Sequence, residues 1–218
     1  LICVREKGYK IGPVRSYFEG RTAPFIFCRH DVDRRVDRSF QMAMAEKELG
    51  VISTYYFRCE MGEVFPEEVI REVASAGHEV GYHYEVISRE GGDNVRAKER
   101  FKKELKALRN IVRVQTVAAH GKPLSRHSNM SNLRNIDFSG LDLLGDSSMD
   151  INFSSVLYVT DTGGTFGSKY NLRDYICGKQ IREPMTPKQM LHKLDPNLEK
   201  MVLVNTHPER WPKKRSCL

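Results

Sequence analysis

The stretch CRHDVD, residues 28–33, directly follows the apolar run PFIF. Asp31 and Asp33 are one residue apart, so in extended backbone both carboxylates leave the chain on the same side. Two carboxylates that close do not share one role comfortably. One can bind a cation while the other stays ionised as a base. The competing reading is a turn, with one Asp capping the next helix and the other in water. Three histidines bear on the choice. His83 in HEVGYHYE, His120 in AAHG and His207 in NTHPERW each lie at the end of an apolar stretch. His78 is five residues before His83, hence on the opposite face of an extended segment, and it follows Gly77, so it reads as a structural turn histidine. Glu85 shares the parity of His83 and could be a ligand or a partner of one. Asp and His form a mixed N/O donor set that suits Zn²⁺, Co²⁺, Mn²⁺ or Fe²⁺ better than Ca²⁺. With an open position and a base nearby such a set activates water, and a remaining histidine can protonate a leaving group. Singly, each of these residues is as readily structural; the coincidence of several strand ends is what points to a site.

These groups meet only if the elements carrying them converge. APFIFCRH reads as a buried strand, and DRSFQMAMAEKELG as a helix stopped by Gly50. VISTYYFR is β-branched and aromatic, a second strand. FPEEVIREVASAG is a helix with proline and acids in its first turn and Gly77 at its end. HEVGYHY is a third strand, and NVRAKERFKKELKALRNI a helix with Phe101, Leu105, Leu108 and Ile111 on one stripe. VQTVAAHG is a fourth strand. After a less regular stretch over 125–175, SSVLYVTDTGG is a strand ending in a polar turn, TPKQMLHKL a short helix begun by Thr186, and KMVLVNTHPERW a last strand. SRHSNMSN reads as a loop. Strands alternating with helices predict an α/β fold with a parallel sheet or barrel, whose site forms where the strands end. The polar clusters fall at those ends. Residues 1–211 are expected to form one domain and 212–218, PKKRSCL, a tail.

Composition narrows the alternatives. At 218 residues the chain can bury a sizeable core without disulfides or a structural metal. The formal charge of +7 admits an anionic substrate, but the basic residues are dispersed and not interleaved with aromatics, which argues against nucleic acid. Five cysteines, Cys3, Cys28, Cys59, Cys177 and Cys217, form no CxxC pair and read as free thiols of a reducing cytoplasm. No apolar run is long enough to span a bilayer, and the N-terminus lacks a signal-peptide layout. The stretch TGGTFGS fits neither phosphate-binding glycine pattern, and there is no GxSxG elbow.

FIFCRHDVD, AGHEVGYHYE, AAHGKPLSRHSN and LVNTHPERW occur in the order found in polysaccharide deacetylases of the NodB-homology type. The chain resembles that family over nearly its whole length, most of all a branch with RHDVD and GHEIGYHYE patterns. The resemblance implies a distorted (β/α) barrel of about seven parallel strands, a divalent metal, commonly zinc, and hydrolysis of an N-acetyl group on a sugar. By the same likeness Asp31 resembles the catalytic base, Asp33 the metal-binding aspartate, His83 the first metal-binding histidine and His207 the general acid. Arg29 or Arg210 could orient Asp31. There are two departures. Where the family usually has a second histidine four residues after the first, this chain has Ile87, and where arginine and proline usually follow the fourth strand, it has AHGKP. His120 could supply the missing ligand, with Glu85 as the alternative. The substrate implied is a carbohydrate or another small or cyclic amide, and a non-catalytic carbohydrate-binding relative is the remaining reading.

Overall fold

Residues 2–22, 24–60, 64–121, 126–129, 139–169 and 178–211 are described by the computed structural model. In chain order they form α1 (Ile2–Glu6), β1 (Lys10–Pro13), α2 (Arg15–Phe18), β2 (Phe25–Val32), α3 (Val36–Glu48), β3 (Thr54–Phe57), α4 (Glu67–Ser75), β4 (Glu79–Tyr84), α5 (Val86–Arg89), α6 (Asn94–Arg109), β5 (Thr116–Ala119), β6 (Gly145–Asp146), β7 (Leu157–Thr160), α7 (Pro187–Lys193) and β8 (Met201–Thr206). Every described strand pairing is parallel. The order is β6-β5-β4-β3-β2-β8-β7, with β1 alongside the first half of β2; β6 and β7 are the two ends, and β7 is bridged on its outer side by Gln180. The result is a distorted, open (β/α) barrel, as the alternation of strand and helix patterns predicts.

Alternation along the strands decides which side chains face inward. On β2, Ile26 and Cys28 pack with the outer helices, while Phe25 and Phe27 pack inward with Tyr56, Ala118, Tyr158 and Leu203. Continuing that inward parity by twos gives Arg29, Asp31 and Asp33. The same count gives His83 after Gly81 on β4, His120 after Ala118 on β5, and Asn205 and His207 after Leu203 on β8. The barrel is therefore polar at its carboxyl end and apolar in its middle. Its amino end is closed by buried Glu79, which accepts from the Thr116 hydroxyl at 2.6 Å, the Thr54 hydroxyl at 2.5 Å and the Arg15 amide at 3.0 Å. Burial raises the Glu79 pKa, against the pull of those donors. Gly81 has no room for a side chain: an added Cβ would come within 2.2 Å of the Tyr56 ring.

The helices cover the outer face. α6 begins with the Asp93 side chain accepting from the amides of Val95 and Arg96, and buries Phe101, Leu105 and Leu108. α7 begins with a capping box between Thr186 and Gln189. α3 begins one residue before the pattern suggests, after Arg35 in the left-handed conformation (φ 51°). The short elements α1, β1, α2, α5 and β6 are not legible in the sequence, because two to five residues are too few to show a period. His78 is structural as expected, with the Ser53 amide donating to Nδ1 and Nε2 within 2.9 Å of the Ala43 carbonyl. Cys3 and Cys28 are free thiols. Cys177, Cys217, the tail 212–218 and half of the loop expected at SRHSNMSN, residues 125 and 130–132, lie outside the described residues. No described helix is long and apolar enough to cross a membrane.

Candidate metal centre and acid–base pair

Asp33, His83 and His120 bring one carboxylate oxygen and two imidazole nitrogens together at the carboxyl ends of β2, β4 and β5. Asp33 Oδ1 lies 3.4 Å from His83 Nε2 and 3.4 Å from His120 Nε2. Two donors each at a zinc–ligand distance and at the tetrahedral angle are roughly 3.3–3.4 Å apart, so the spacing fits a shared ion. It does not make good hydrogen bonds, and Asp33 Oδ1 is buried without a hydrogen-bond partner among the described residues. An orphaned buried carboxylate oxygen facing two imidazoles is costly unless a cation joins it. Burial opposes ionisation of Asp33, yet the neighbouring His120 and His83 hold its pKa well below the usual range. Burial lowers the pKa of His120, more than Asp33 raises it, which favours the neutral ring that binds metals. His83 Nδ1 faces the Ala118 carbonyl oxygen at 3.1 Å. That contact puts the proton on Nδ1 and the lone pair on Nε2, toward Asp33.

Asp31 sits beside this cluster with its Oδ2 3.7 Å from His83 Nε2. Arg29 grips it bidentately, Nε to Oδ1 at 2.7 Å and Nη2 to Oδ2 at 2.8 Å, and the Asn205 amide donates to Oδ2 at 3.0 Å. Burial works against the charge, but Arg29 and then His83 outweigh it and bring the pKa down to about 2. Of the two arginines considered for orienting Asp31, Arg29 does so. Arg210 instead donates to the Asp161 carbonyl oxygen at 2.7 Å.

His207 lies across the cluster, its Nε2 3.9 Å from Asp33 Oδ2. Its Nδ1 is 2.6 Å from Asp161 Oδ1, its backbone amide donates to Asp161 Oδ2 at 3.1 Å, and the Trp211 indole donates to the same oxygen at 3.1 Å. Burial disfavours the imidazolium, but Asp161 and Asp31 outweigh it and raise the pKa to about 9. The raised value stabilises the fold fully below the unfolded value near 6.5, and that contribution is lost as pH rises through about 9. For Asp31 the order is reversed: its contribution is present above the unfolded 3.8 and lost as pH falls through about 2.

Glu85 is not a member of the donor cluster. Its Oε2 lies 3.7 Å from His120 Nδ1, on the ring edge away from Asp33, and it is paired with Arg58. Ile87 is 1% exposed and packed in the apolar cluster around Tyr82, Tyr84 and Phe101. A histidine there would enter the core, not the cluster. Ile87→His is therefore expected to leave metal content unchanged and to cost about 2–4 kcal/mol by cavity and desolvation effects. A thermal melt should show a Tm drop of roughly 5–15 °C; an unchanged Tm with added metal capacity would contradict the placement.

The sequence reading brings Asp31, Asp33, His83, His120 and His207 to one place. It does not single out Asp161 or Asn205. Asp161 ends the strand in VTDTGG and could have been found by the rule used for the others, an acid at a strand's carboxyl end.

No protein-family model and no curated protein matches the chain. Among solved structures, the catalytic domain of a peptidoglycan N-acetylglucosamine deacetylase from Eubacterium rectale is similar, with a TM-score of 0.53 at 12% identity over 86% of this chain and 77% of that one. A family 4 carbohydrate esterase from Bacillus anthracis gives 0.47 at 9% identity, over 93% and 74%. A CE4 family pseudoenzyme from Bacillus anthracis gives 0.49 at 12% identity; the match covers 85% of this chain and about half, 55%, of that one. At these identities the likeness is one of fold, and the Eubacterium rectale domain carries it.

Proposed function

We propose that the protein is a metal-dependent hydrolase of amide bonds acting on an N-acetylated carbohydrate. The observation that supports this best is the order of groups across the carboxyl end of the barrel. An ionised Asp31 and a protonated His207 flank the Asp33, His83 and His120 donors. A divalent metal on those three donors would bring the pKa of water to near 7 and polarise a carbonyl, which is what a base as weak as Asp31 needs.

The other roles fall to the chain. Asp31 accepts a proton from the attacking water, with Oδ2 as the oxygen on the cluster side. Arg29 and Asn205 fix its orientation, so no rotamer search accompanies the step. His207 commits Nδ1 to Asp161, which leaves Nε2–H to protonate the departing amine. Two titratable groups with opposite environments thus divide base from acid.

The test is acetate release from N-acetylglucosamine oligomers by chelated protein, with and without added Zn²⁺ or Co²⁺. Release restored by metal is the expected result. No release with any divalent ion, by protein whose fold is intact, overturns the reading.

A further inference from the structure

Described residues at the end of β2 and the start of α3, and after β3, line, with Arg89 of α5, a cavity of about 530 Å³ that shares Asp33 with the metal centre. Arg34, Arg35, Arg58 and Arg89 line it, with Asp37 and Glu60 as its other acids. Part of this charge is internally matched: Arg35 pairs with Asp37 at 2.9 Å, Arg58 with Glu85, and Arg89 lies 3.7 Å from Glu104. Asp33 turns Oδ1 toward the two histidines. Exposed Arg34 and Glu60 remain without an ion-pair partner among the described residues, one charge of each sign. Arg58 Nε is buried without a hydrogen-bond partner, a donor that is costly to leave unmet. The first turn of α3, Val36 and Asp37, also lines the cavity, and that helix has no side-chain cap, so its positive end adds to the same field.

We propose that this cavity receives an anionic group, a carboxylate or a phosphate, carried by the substrate whose amide lies at the metal centre. The inference rests on the amide-hydrolase reading and deepens it: the substrate is an acidic amino-sugar derivative. Arg34 is the residue that recognises the charge, through the fork geometry that suits both anions; Arg58, whose Nη2 is held by Glu85, has only its Nε left to donate.

The experiment is calorimetric binding to the full chain loaded with Zn²⁺, using N-acetylglucosamine, its 6-phosphate and N-acetylmuramic acid as probes. At low salt at least one acidic probe is expected to bind about tenfold or more tighter than the neutral sugar, which corresponds to about 1.4 kcal/mol. The preference shrinks as salt is added. Arg34→Glu should remove it and Arg34→Lys keep only part of it, since lysine retains the charge without the fork; which acidic probe is preferred separates carboxylate from phosphate. Equal affinity for neutral and acidic probes overturns the proposal. So does a preference untouched by Arg34→Glu, since the anion would then be held by the metal. Acetate release, measured separately, keeps the two readings apart. An anion preference without hydrolysis removes the hydrolase reading alone, and hydrolysis without any preference removes this one alone.

Discussion

His120→Ala is expected to abolish stoichiometric zinc binding in a protein that still folds. His120 Nε2 and His83 Nε2 stand at equal distances from Asp33 Oδ1, so the ring is a full member of the donor set. Its removal leaves one imidazole and one carboxylate, too few to hold an ion against water. Glu85 does not replace it, because its carboxylate lies on the far edge of the ring and is engaged by Arg58. Glu85→Gln is the informative companion. A carboxylate near the second ring nitrogen of a ligand histidine raises its basicity, and losing such a partner costs roughly 10–100-fold in metal affinity. Zinc content by mass spectrometry after dialysis, with circular dichroism as the check on folding, separates the two. The expected pattern is zinc lost in His120→Ala and retained, more weakly, in Glu85→Gln. The reverse pattern would make Glu85 the third ligand. Because burial already lowers the His120 pKa, the ring needs no proton removed at neutral pH before binding.

The position of His120 also shows what a sequence can and cannot reveal here. Strand parity is local, so the sequence puts Asp31 with Asp33 and His83 with Glu85, and places His120 and His207 at strand ends; the inward packing of Phe27, Ala118 and Leu203 then gives the side they share. The strands that carry them are buried apolar runs bounded by turn residues, which is why the fold class was legible. Whether a given pair of strand ends touches depends on sheet order and stagger, which are set by non-local pairing. The order in which β8 inserts between β2 and β7 is of that kind. It places Asn205 against Asp31 and Asp161 against His207, contacts separated by 174 and 46 residues. Ile87, four residues from a histidine in sequence, faces the core for a local reason. The chain turns into α5 at Val86, so strand parity no longer applies.

Asp31→Asn is expected to lower kcat for amide hydrolysis by about 10²–10⁴-fold with metal content unchanged, the range for losing a positioned general base. The amide keeps the volume but cannot accept the proton. It also leaves Arg29 without its buried partner, which costs stability, about 3–5 kcal/mol for a broken buried pair. Rates must therefore be referred to folded protein by the circular dichroism amplitude. A pH series provides a readout that a purely structural role would not move. With Asp31 ionised down to about pH 2 and His207 protonated up to about pH 9, both groups hold their working forms across the neutral range. Loss of the His207 proton then sets the alkaline limb, with kcat falling as that proton is lost. A divalent cation on Asp33 would remove that residue's share of the rise and itself repel the imidazolium, so the limb of the metal-loaded protein lies below about 9, held up by Asp161 and Asp31. Asp161→Asn takes away the strongest of these, so the alkaline limb should move toward 6.5 by about one unit or more. Asp31→Asn should shift it the same way by less, on top of its loss in rate. If the limb stays in place in Asp161→Asn while kcat merely falls, His207 is not the acid, and Asp161 serves only to hold the loop that ends in Trp211.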